Sequence, residues 1–213
     1  MRWKACWSSA IVKPGISFRL AVTLTAGLFV GMLASPGLYA LYGKGAKPAS
    51  TNAPGETACQ DAKCHTQHPL NSGTGQLGLA GVPAAYEAGM TYPLTISLSQ
   101  TGQKRWGFQI TALDSSNLAA GIFSLSDAER TQLRNEIMPD GNRRLYVEHT
   151  LAGSHMGRKD GPVMWQIKWQ ATGDLHGPVY FYLAANAANF NKKPWGDFIY
   201  TRIDTAGSPP GGP

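Results

Sequence analysis

The chain has 213 residues, 43% of them apolar and 15% charged, with 25 Gly and 14 Pro, which allows one ordinary domain with tails and favours turns over long helices. Its formal charge of +6 is unevenly spread, because four of the 19 Lys and Arg residues precede position 41 and no Asp or Glu does. The rest sets 15 basic against 13 acidic residues, a net +2 with no basic stripe among aromatics, which argues against a nucleic-acid-binding class.

Residues 1–40 have the anatomy of an export signal. Arg2, Lys4, Lys13 and Arg19 lead into the apolar run Leu20–Leu33, Ser35-Pro-Gly breaks it, and Leu38-Tyr-Ala40 offers small residues for cleavage. Uncleaved, Leu20–Tyr42 could instead stretch across roughly 30 Å of hydrocarbon as an anchor helix. In both cases residues 41–213 lie outside the cytoplasm, in the periplasm or on the outer face of a membrane, because positive charge stays inside.

Residues 41–58 are rich in Gly, Pro, Ala and Ser without periodicity, and read as a flexible spacer. Residues 59–74 open with Cys59-Gln-Asp-Ala-Lys-Cys64-His65. Two thiols can add across the vinyl groups of a haem, and a histidine beside the second can reach the iron. The usual spacing is C-x-x-C-H, whereas four residues separate these cysteines. Cys6 falls in the signal, so the exported part holds only this pair. An exported pair also suits a disulfide, although so short a loop constrains the unfolded chain little. Tetrahedral zinc on Cys59, Cys64, His65 and His68 is a third option.

Between residues 75 and 204 the period is mostly two. Tyr92, Leu94, Ile96 and Leu98 share a face, as do Trp106, Phe108 and Ile110, then Leu145, Val147 and His149. Trp165, Ile167 and Trp169 follow, then Val179, Phe181 and Leu183, and Phe198 with Tyr200 closes the series. Such alternation marks half-buried strands, and several of them predict an antiparallel β-sandwich. One short helix is expected: Ser126-Asp-Ala-Glu129 has capping-box form, and Arg130–Ile137 continues it to Pro139-Asp-Gly. Residues 205–213 read as a tail.

Several of these segments resemble a known family. Tyr86-x-x-Gly-Met-Thr-Tyr92-Pro-Leu-Thr-Ile96, Arg105-Trp-Gly-Phe-Gln-Ile-Thr-Ala-Leu113, Val147-Glu-His149-Thr150, Trp165-Gln-Ile-Lys-Trp169, Gly177–Asn189 and Gly196-Asp-Phe-Ile-Tyr-Thr201 are similar to a bacterial reeler-type, or choice-of-anchor, domain. The likeness extends upstream to Ala53-Pro-Gly-Glu56, Cys64-His65 and Asn71-Ser-Gly73, and covers residues 53–201. It implies an all-β, Ig-like reeler sandwich. The animal relatives are extracellular adhesion-type modules without haem, and the bacterial branch frequently carries the shorter C-x-x-C-H spacing.

The expectation is therefore an exported monohaem, c-type cytochrome-like protein with one covalent haem c, passing single electrons to other cytochromes or a membrane redox complex. Cys59 and Cys64 would form the thioethers and His65 an axial bond to iron. His149, on the apolar face of its strand, is the candidate opposite ligand, with His155, Met156 and His68 as alternatives and Met164 and His176 further behind. The competing expectation is a haem-free binding or adhesion module with a Cys59–Cys64 disulfide. No nucleophile–base–orienter set appears, so an enzyme is not expected.

Overall fold

The computed structural model describes residues 44–59 and 65–208. The expected signal or anchor helix, Cys6, Cys64 and the end of the tail lie outside them. Nine strands form: β1 Gln76–Ala80, β2 Thr91–Ser99, β3 Arg105–Leu113, β4 Ile122–Leu125, β5 Thr131–Ile137, β6 Arg143–His149, β7 Val163–Gln170, β8 Val179–Ala188 and β9 Phe198–Ala206. A four-stranded sheet runs β1-β2-β7-β4 and a five-stranded sheet β5-β6-β3-β8-β9, every pairing antiparallel. The fold is the expected all-β sandwich, and among the described residues no helix is long and apolar enough to cross a membrane.

The alternating apolar residues meet between the sheets. Leu94, Ile96 and Leu98 of β2 and Trp165, Ile167 and Trp169 of β7 face Trp106, Phe108, Ile110, Phe181 and Leu183 across the core, all of them buried. Trp169 takes Phe181 edge-on at 5.0 Å, and Trp165 packs on Phe108 at 4.7 Å. Each core tryptophan also ties down a loop through its indole N–H: Trp106 donates to Arg158 O at 2.8 Å, Trp165 to Gly153 O at 2.7 Å and Trp169 to Ala120 O at 2.9 Å. A buried indole left without an acceptor would cost more than the ring's burial returns at that atom, so loop and core are folded together.

Three expectations need correction. The helix expected over residues 126–137 is a turn followed by strand β5. Asp127 Oδ1 accepts the amides of Glu129 and Arg130, both at 3.0 Å, and its carbonyl accepts Thr131 N at 2.9 Å, which sends the chain into an extended pairing with β6. The only helical turn among the described residues is a 3-10 turn at Ala152–Ser154. Residues 44–58, expected to be a spacer, lie against the outer face of the large sheet, with Ser50, Thr51, Ala53 and Ala58 buried. Strand β9 runs beyond the expected boundary at 204 to Ala206, and Gly207 N donates to Ala84 O at 2.9 Å.

Candidate functional site

Along β3, Trp106, Phe108 and Ile110 point into the core, so Gly107, Gln109 and Thr111 face outward. The same parity puts Arg144, Tyr146 and Glu148 of β6 and Ala184 and Asn186 of β8 on that outer face. These positions are polar yet largely buried, because residues 44–58 cross them as a strap. Gln109 accepts from Ser50 N at 2.9 Å and donates to Lys47 O at 3.1 Å. Glu148 takes Gln109 Nε2 at 3.0 Å, Gln132 Nε2 at 3.0 Å and Arg134 Nε at 2.9 Å. Its burial raises the carboxyl pKa above the ordinary range, against the pull of Arg134 and Gln109.

Glu56, in the Ala53-Pro-Gly-Glu56 segment, is the strap's anchor. Oε1 accepts from Arg144 Nη1 at 2.7 Å and Tyr146 OH at 2.6 Å, and Oε2 accepts from Thr51 N at 3.0 Å and Thr51 Oγ1 at 2.7 Å. Four donors fill the carboxylate, and both charged side chains are withdrawn from water. Burial and the Glu56 carboxylate push the Tyr146 hydroxyl pKa far upward.

Cys59, at the end of the strap, and His65 lie on the same face. Cys59 Sγ lies 3.7 Å from Ser50 O. His65 lies over β8 and the loop before β9, with Nδ1 2.8 Å from Asp197 Oδ2 and Nε2 3.2 Å from Asn186 Nδ2. The Nδ1 approach is short without being a straight hydrogen bond. Asp197 is 3% exposed, and its Oδ1 accepts Asn189 N at 3.1 Å. Asn186 Oδ1 is buried with no partner. Downstream, His68 stacks on Phe198 at 4.1 Å. Asn71 then follows the edge of β9, donating to Ile199 O at 2.9 Å and accepting Thr201 N at 2.8 Å.

His149 is 8% exposed and held by β3. Its Nδ1 lies 3.2 Å from Phe108 N and 3.3 Å from Phe108 O. Its ring fills the space beside Gly107, where an added Cβ would come within 2.6 Å of Cε1. Burial pushes its pKa down to about 4, so the ring is neutral at physiological pH. Gly107 pairs with Asn186 across β3 and β8; His149 sits on the β6 side of this pair and His65 on the β9 side.

His155 caps the 3-10 turn in the left-handed region, φ 42°, and meets Trp165 edge-on at 5.4 Å. Met156 is exposed beside it, and His176 is an exposed loop residue. Among the described residues no three His, Cys, Asp or Glu side chains gather as a metal site; Cys64 lies outside them. Asp197 and Asn186 were not among the sequence candidates. The signals were present: an acid immediately before an apolar strand, and an amide in the Ala-rich run Ala184–Ala188.

No family model matches the chain, and no curated protein matches it. Among solved structures it is similar to the human F-spondin reeler domain, at 22% identity over 63% of this chain and 89% of that one, with a TM-score of 0.41. It is also similar to a cohesin module of a Clostridium perfringens glycoside hydrolase, at 8% identity over 64% and 96%, TM-score 0.40. A type II cohesin domain of Acetivibrio cellulolyticus matches at 8% identity over 62% and 95%, TM-score 0.33.

Proposed function

We propose that the chain is an exported β-sandwich module that acts by binding rather than by catalysis, with Cys59 and Cys64 joined as a disulfide and no haem. The observation supporting this is His65, whose two ring nitrogens already meet protein groups, Asp197 on Nδ1 and Asn186 on Nε2. An iron-ligating histidine leaves one nitrogen open to the metal. In this reading the histidine is a clamp that pins the end of the strap segment to the β8–β9 loop. In the same reading His149, held at Nδ1 by the β3 main chain, is a packing residue. The strapped scaffold leaves the loop ends of the sandwich as the surfaces for a partner.

The test is to export the chain in a host with haem-attachment machinery and measure intact mass and visible absorbance. A colourless protein whose two exported cysteines alkylate only after reduction is the expected outcome. A covalent mass of one haem with Soret absorbance would replace this reading with the second one.

One observation favours that second reading. A carboxylate against Nδ1 is how ligating histidines are commonly oriented, and Asp197 stands there. Cys59 and Cys64 would then hold a haem c and His65 its iron, with Asn186 yielding Nε2. The group would supply single-electron transfer toward other cytochromes or a membrane redox complex. His149→Ala is then expected to leave the haem spectrum unchanged, because that ring belongs to β3.

A further inference from the structure

The loop from Leu151 to Gly157 and the start of β7 bound an open groove lined by His155, Met156, Met164, Leu151, Arg130 and Arg158. Two features of it bear on ligand binding. His155 Nε2 is buried and has no hydrogen-bond partner. Met156 and Met164 are 51% and 58% exposed, which presents two thioethers in the groove that His155 also lines. We propose that His155, Met156 and Met164 form a binding site for a soft monovalent cation, Cu(I), at this end of the sandwich.

The chemistry of the donors makes the choice. The His155 ring is packed against Trp165, and a buried ring nitrogen without a partner calls for one, which a bound cation would supply. Thioethers are poor ligands for hard cations and for zinc, and good ones for Cu(I). Methionine has three rotatable bonds, so two of them at the mouth of one groove can converge on an ion brought by the imidazole. The set carries no negative charge, and Arg130 and Arg158 flank it. Each unit of charge on the ion adds to that repulsion, which favours a monovalent over a divalent cation. No electron transfer is involved, and the site does not depend on what occupies Cys59 and Cys64.

The test is titration of the full exported chain with Cu(I), held reduced and competed by a chromophoric Cu(I) chelator, with Ag(I) as the redox-silent probe. One Cu(I) per chain is expected at this site. Met156→Leu with Met164→Leu, and separately His155→Gln, should each weaken binding more than roughly tenfold. Matching far- and near-UV circular dichroism checks that the exposed-residue variants still fold. Cys59→Ala with Cys64→Ala should leave this binding in place. Sulfur and nitrogen scattering in the copper absorption edge should appear together and vanish in the double-Met variant. Undiminished affinity in that variant, binding lost with the cysteine pair, or Zn(II) competing as an equal would each overturn the proposal.

Discussion

At the scale of single residues, His149 couples the fold to pH. Its folded pKa of about 4 lies below the unfolded value of 6.5, because burial penalises the charged ring. The stability it contributes is complete above pH 6.5 and drains away as pH falls toward 4, where the unfolded chain binds the extra proton. The slope approaches about 1.4 kcal/mol per pH unit, for a total on the order of 3 kcal/mol. Glu148 acts oppositely: its raised pKa lets the fold bind a proton more readily than the unfolded chain. Urea midpoints at pH 7 and 4.5 should therefore differ less for His149→Asn than for the parent, and an equal difference would assign the pH dependence elsewhere. Gly107 belongs to the same packing. A Cβ there strikes a ring pinned at Nδ1, so Gly107→Ala should cost about 1–3 kcal/mol. Most of that cost should disappear in the His149→Ala background.

At the scale of elements, β5 and the strap show local signals giving way to partners. Ser126-Asp-Ala-Glu129 reads as a helix start, yet Asp127 uses its carboxylate to close a turn. Beyond it Gln132 and Arg134 reach Glu148 from one face of an extended strand. Seven residues paired along β6 bring ladder bonds that one isolated turn of helix cannot match. Asp127→Ala should lower stability by about 1 kcal/mol without adding helix, as read by denaturation and far-UV circular dichroism. The strap is held mainly by buried polar bonds, and its weak point is the Glu56–Arg144 pair. Glu56→Gln leaves an uncompensated guanidinium out of water and should cost about 3 kcal/mol. Trypsin should then cut faster after Lys44, whose carbonyl Gln132 now holds; unchanged proteolysis would mean the strap is secured elsewhere.

At the scale of the whole molecule, the apolar core lies within strands β1 to β9 and the segments joining them, while the strap adds a polar layer outside. A chain lacking residues 1–58 should keep its β spectrum and a cooperative melt at a lower temperature. Loss of the cooperative transition would make the strap part of the folding unit. The sandwich itself was legible from residues such as Leu94, Ile96 and Leu98, because a strand sends alternate side chains to opposite faces whatever its partner. That is why six strands and the fold class could be read, with short β1, β4 and the disguised β5 missed. The site was legible only in part. The motif at 59–65 was visible, but what His65 touches lies 121 residues away in Asn186. Glu56 likewise finds Arg144 across 88 residues. Such partners carry no periodicity, since a buried polar group is satisfied by whichever donor the folded sheets bring beside it. Chain chemistry alone therefore determined the layers, and only the packed sheets decided that a Gly- and Pro-rich leader is a strap, that His149 belongs to β3, and that His65 rests on Asp197.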